Sequence, residues 1–177
     1  MSAAVSTLQY YLQSAKHAVS YVNRRIVFSS NNPTDVAGTL GLVGIGMQIF
    51  RKVADAKASQ IAKSSGGTSA LSDYMRGSAE MAEAARMGNC REKAALAFLT
   101  LEKAGVKPLD LMAFLPPADH AFVVIGRTAG DPSDYRNWGK DAVVCDAWNE
   151  NSYEAVQIPS LMADGYTGPF VSLFRAK

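Results

Sequence analysis

Cys90, His120 and Asp146 are a nucleophile, a base and a carboxylate, the set that runs acyl transfer through a thioester. Cys90 follows Gly88-Asn89 and opens a stretch rich in Ala, Leu, Glu and Lys over 91–104, which predicts a helix. Unpaired backbone N–H groups and the positive end of the helix dipole converge on its first turn. Both favour a thiolate over a thiol, and the same N–H groups can hold an oxyanion. Without such a setting a free cysteine is usually a small buried hydrophobe. His120 is one of two histidines and stands at the edge of a β-branched, aromatic run over 121–125. His17, between Lys16 and Ala18, reads as a surface residue. A lone strand-edge histidine is more often structural, but a thiol nucleophile needs a base within hydrogen-bond reach.

Asp146 enters by hairpin geometry. If strands 121–125 and 141–146 pair antiparallel with Ile125 opposite Asp141, then His120 faces Asp146. Opposed Cβ atoms on one face lie roughly 4.5–5.5 Å apart. The carboxylate would hold the imidazole tautomer and stabilise the imidazolium. Asp141 would sit about 16 Å along the strand, out of reach. The other reading of Asp146 is a turn cap before Trp148. Side chains alternate along a strand, so Cys145 faces away from Asp146 into the core, which argues against a Cys90–Cys145 bridge.

Three blocks carry a resemblance: Gly88-Asn89-Cys90-Arg91-Glu92-Lys93-Ala94, Asp119-His120-Ala121-Phe122-Val123-Val124-Ile125-Gly126, and Val143-Val144-Cys145-Asp146-Ala147-Trp148. They resemble the papain-like (transglutaminase-like) cysteine effectors and toxins of bacteria, with the pattern Gly-Asn-Cys-Gly-Glu-x-Ala, Asp-His-x-Phe-Val-Val, Val-x-Asp-Pro-Trp and then a Tyr, here Tyr153. The resemblance spans roughly residues 86–155. It implies a Cys90-His120-Asp146 triad, a host protein as substrate and a secreted effector that acts in the host cytoplasm; Tyr10, Gln13, Lys16 and His17 interrupt the N-terminal stretch, so no cleaved signal peptide is expected, nor any cofactor. The family includes proteases and glutamine deamidases, with transglutaminases on a related fold. The chain departs from the pattern at Arg91, where the family has Gly, and at Ala147, where it has Pro. Papain-type enzymes carry an oxyanion Gln six residues before the cysteine, and Ala84 stands there. The second oxyanion donor must be another group: Asn89 first, then Gln157 or Asn149. Asn89 otherwise shapes the Gly-Asn turn. Trp148 either walls the site or belongs to the core.

The elements that would position these residues follow from periodicity. Leu8, Leu12, Ala15, Val19, Val22 and Ile26 form the stripe of an amphipathic helix. Packing on the domain suits it better than a membrane, because few lysines flank it. Ser29 to Pro33 ends that helix. Thr34 or Asp35 caps a second, running towards Lys63, and Ser64-Ser65-Gly66-Gly67 reads as a linker. A third helix is expected over 72–86, and Gly105 sits where a helix-ending glycine belongs. Residues 106–117 are ambiguous. Strands are expected at 121–125 and 141–146, with a short third over 153–158. The 128–140 loop, carrying Tyr135 and Trp138, is either a substrate-facing lid or a tolerated insertion. Helices first and strands later predict an α+β fold. The expectation is a papain-like/transglutaminase-like core with N-terminal helices on a small antiparallel sheet. A helical region, 1–66, would precede a catalytic core, 67–177, within one compact body.

Composition narrows the classes. With 177 residues, 48% of them hydrophobic, the chain can bury a sizeable core. Lys plus Arg is 18 and Asp plus Glu 16, a net charge of +2, which argues against nucleic acid as the main partner. Two cysteines and two histidines in no zinc-ligand spacing predict no metal site. The most apolar stretch, 40–50, holds three glycines and is too short to span a bilayer. The sequence thus favours a thiol-dependent amide hydrolase, a deamidase slightly ahead of a protease. A non-enzymatic binding module on the same fold and a peptidoglycan amidase are the rivals. Nothing in it fixes an oligomeric state.

Overall fold

The structure, a computed structural model, describes residues 6–29 and 68–177. The expected second helix towards Lys63 and the 64–67 linker lie outside the described residues. Helix α1 (Thr7–Arg25) starts on Ser6, whose hydroxyl accepts the Gln9 N–H at 3.2 Å, an N-cap. Helix α2 is Thr68–Ala85 and helix α3 is Cys90–Lys103. Helix α3 ends as a Schellman turn: Gly105, at φ +74°, donates to Glu102 O, and Val106 donates to Leu101 O.

Five strands follow: β1 (Leu109–Phe114), β2 (Ala121–Ile125), β3 (Val143–Asp146), β4 (Asn151–Glu154) and β5 (Phe170–Ala176). They form one antiparallel sheet in the order β4-β3-β2-β1-β5. The mixed helix-and-sheet class expected from the sequence is the class observed. Three details differ. Residues 109–114, in the piece left ambiguous, are an inner strand, and β5 is an additional strand at the sheet edge. The third expected strand stops at Glu154. Ala155–Gln157 is a 3-10 turn, and Pro159 sits in the first turn of a short helix, α4 (Ile158–Leu161). Its fixed φ suits a helix start and would remove a ladder donor from a strand.

The sheet separates two cores. On one face α1, α2 and α3 bury Ala15, Val22, Phe98 and Leu101 against Leu109, Val123, Ile125, Val143 and Cys145. The α1 stripe is the packed face its spacing predicts, with Ala15, Val19, Val22 and Ile26 buried. On the other face Phe122, Val124 and Val144 pack with Trp138, Ile158, Met162 and Phe170. The 128–140 loop contributes Trp138 to that second core, with Tyr135 partly buried against it. Trp138 is fully buried, and its indole N–H donates to Pro132 O at 3.2 Å. Among the described residues, no helix is long and apolar enough to cross a membrane.

Candidate active site

Cys90 is the first residue of α3 and is 5% exposed. The turn before it is held from several sides. Glu92 Oε2 accepts the Asn89 N–H at 2.9 Å, the return half of a capping box. Ser29 Oγ donates to Asn89 Oδ1 at 2.8 Å, and Gly88 N donates to Phe28 O at 3.0 Å. Gly88 has no room for a side chain. A Cβ there would lie 2.9 Å from Glu92 Cβ and 3.2 Å from Ile26 Cγ2. The cysteine is therefore placed by fixed backbone, and its own N–H, in the first turn, has no partner four residues back.

His120 precedes β2, and its carbonyl accepts the Phe114 N–H at 3.0 Å. The ring sits among aromatics: Phe114 edge-on at 5.0 Å between centroids, Trp148 edge-on at 5.7 Å, and Phe122 stacked at 6.0 Å. Its Nε2–H donates to Asp146 Oδ2 at 2.7 Å. Cys90 also acts on the ring, its hydrogen bonding and charge favouring the imidazolium; Asp146 holds Nε2, which leaves Nδ1 as the ring's other nitrogen. Burial disfavours the imidazolium, but the hydrogen bonds and charges of Asp146 and Cys90 outweigh it and push the His120 pKa up to about 9.

Asp146, the last residue of β3, is fully buried and satisfied. Oδ1 accepts the N–H groups of Trp148 (3.2 Å) and Asn149 (3.1 Å), and Oδ2 accepts Asn149 Nδ2 (3.0 Å) as well as His120. The carboxylate caps the turn before Trp148 and binds the histidine at once; the sequence offered these as alternatives. Four donors fix its plane, and with it the ring.

The other predicted residues divide. Asn89 is 1% exposed and caps the cysteine helix. Trp148 is half-buried against the His120 ring, a wall and not a core residue. Asn149 spends its amide on Asp146, and Gln157 Oε1 accepts the Glu154 N–H on an exposed turn. Ala84 lies exposed in α2. Cys145 faces the helices, donates to Ala15 O at 3.7 Å, and is pushed well above the ordinary thiol range by burial. Both thiols are free. Among the described residues, no three His, Cys, Asp or Glu side chains are grouped to hold a metal.

Sequence reasoning missed Asn23, Ser29 and Lys93. Lys93 is 6% exposed three residues after Cys90 and donates to Asn23 Oδ1 at 2.7 Å. Its position within the first motif was visible. Asn23 and Ser29 carry no local signal, because the partners that tie them to the site lie 60 or more residues away.

Neither a protein-family model nor a curated protein matches the chain.

Proposed function

We propose that this protein is a thiol-dependent acyl-transfer enzyme acting on amide bonds of a protein substrate, first as a glutamine deamidase and second as a protease. One observation carries the reading: a buried histidine with a carboxylate on Nε2 at 2.7 Å and a helix-N-terminal cysteine as its other partner. The order helix, strand, strand for Cys90, His120 and Asp146 agrees with a papain-like/transglutaminase-like core. The three-block resemblance supplies the effector class, the host protein substrate and the host cytoplasm as place of action.

In this reading the Cys90 proton resides on His120, giving a thiolate–imidazolium pair. The sulfur attacks the amide carbon, and the oxyanion forms against the Cys90 N–H. His120 gives its proton to the leaving nitrogen, so ammonia departs from a glutamine or an amine from a peptide bond. Water, deprotonated by His120, hydrolyses the thioester and regenerates the thiol. Asp146 keeps the ring in the tautomer that leaves Nδ1 for sulfur.

The binding-module reading draws on Arg91 and Ala147 and on the engagement of Asn149 and Gln157 away from the cysteine. The deciding experiment adds wild type or Cys90→Ala to a eukaryotic cell lysate and reads peptides by mass spectrometry. Glutamine-to-glutamate conversions that need Cys90 support deamidation, and Cys90-dependent new N-termini support proteolysis. Neither change, with equal partner recovery by the two proteins, overturns the enzyme in favour of the module.

A further inference from the structure

Helix α1 lies outside the part of the chain that carries the motifs, yet its C-terminal end touches the candidate site from two directions. Asn23 Oδ1 accepts Lys93 Nζ at 2.7 Å, and Asn23 Nδ2 donates to Ala147 O at 2.8 Å and to Val19 O at 3.1 Å. Lys93 follows Cys90 by three residues on α3, and Ala147 follows Asp146 directly. One side chain of α1 therefore bridges the cysteine's helix and the aspartate's turn. The loop of contacts is closed: Cys90 through α3 to Lys93, then Asn23, Ala147, Asp146 and His120, which returns to Cys90.

We propose that Asn23 and Lys93 are positioning residues that set Cys90 against the His120–Asp146 pair, which makes α1 part of the catalytic unit. The inference rests on the acyl-transfer reading above. A buried ammonium is costly unless it is fully hydrogen-bonded, and an apolar side chain would fill the same space at less cost. Helix packing alone does not call for it, since Ala15, Ala18, Val19 and Val22 already seat α1. The bridge instead fixes a distance. Beyond the helix, Phe28 O and Ser29 Oγ hold Gly88 and Asn89, so the same segment also braces the turn that presents the thiol. Misplacing a reacting group by about 1 Å costs on the order of 100-fold in rate.

The test follows iodoacetamide labelling of both cysteines against pH in intact protein, in wild type, Asn23→Leu, Asn23→Asp and Lys93→Met. Cys145 reports on α1, because its thiol sits on Ala15 O. The expected result is that Cys90 labelling below pH 7 falls at least about tenfold in Asn23→Leu and Lys93→Met, on the scale of such misplacement, while Cys145 stays protected. If Cys145 becomes labelled in Asn23→Leu, α1 has come away, and Asn23→Asp decides. It keeps an oxygen for Lys93 and loses the donor to Ala147 O, and a Cys90 profile below wild type supports the bridge. Profiles that superimpose on wild type in variants with Cys145 protected overturn the proposal and leave the triad standing. A wild-type Cys90 whose labelling ignores His120→Ala overturns both.

Discussion

His120 and Asp146 meet on the diagonal of the β2–β3 pair. The register sets Val123 opposite Cys145, Val124 opposite Val144 and Ile125 opposite Val143. Continued by one pair, it puts Phe122 across from Asp146, so that His120 lies two residues further along the same face. Diagonal neighbours are within reach of long side chains, and Nε2 and Oδ2 close to 2.7 Å. Trp148 lies in the turn just after β3, and its ring meets His120 edge-on at 5.7 Å.

That contact controls a titration. The hydrogen bond and charge of Asp146, with those of Cys90, raise the His120 pKa from 6.5 to about 9 against burial. Asp146→Asn removes the charge and leaves the burial, so the His120 ring signals in an NMR titration are expected to move to a lower midpoint. A midpoint unchanged near 9 contradicts the assignment. Stability follows the same sign. A raised folded-state pKa contributes in full below the unfolded value near 6.5 and loses its contribution as pH rises through about 9. At about 1.4 kcal/mol per unit, the stability advantage of wild type over His120→Gln should shrink by about 3 kcal/mol across that window. Denaturant unfolding at several pH values reads it.

The three candidate residues were legible because each is marked locally: Cys90 by a helix start, His120 by a strand edge, Asp146 by a strand end. Their meeting was legible only as to face. The expected register, Ile125 opposite Asp141, is two residues from the observed pairing of Ile125 with Val143. Side chains alternate with period two, so the shift left both residues on the same face, and a one-residue error would have separated them. Strand β1 escaped because Asp110 interrupts its apolar run, and because prolines at 108, 116 and 117 make the piece read as loop. Asp110 is tolerated there only through partners distant in sequence. The loop at 128–140 read as lid or insertion, yet Trp138 makes it core, which depends on the Phe170 that it packs against.

Asp110 anchors another buried charge cluster, on the face away from the helices. It accepts from Arg127 Nη2 (2.7 Å) and Nε (3.1 Å), Arg175 Nη1 (2.7 Å) and Ser172 Oγ (2.9 Å). Removing the carboxylate leaves two neighbouring guanidinium groups without it, a loss of about 3–5 kcal/mol for a buried pair. Asp110→Ala should lower the melting temperature sharply, and at temperatures where it is folded Cys90 should label as in wild type. A melting temperature within a degree or two of wild type contradicts the role given to this cluster.

The two thiols differ in setting, one at a helix start beside a histidine and one fully buried under α1. A thiol count should therefore give one reactive group in native protein and two in guanidinium chloride, with no reductant needed. A mass short by two hydrogens, or two thiols labelled at equal rates in the native state, contradicts this placement.

The most direct test of the account is the rate of Cys90 alkylation against pH, read by mass spectrometry in wild type and His120→Ala, with Cys145 as the internal reference. The account predicts that Cys90 reacts well below the ordinary thiol pKa of about 8.5, that His120→Ala abolishes this, and that Cys145 stays unlabelled in both. If Cys90 follows an ordinary thiol profile, identical in the two proteins, His120 does not activate it, and the acyl-transfer reading fails.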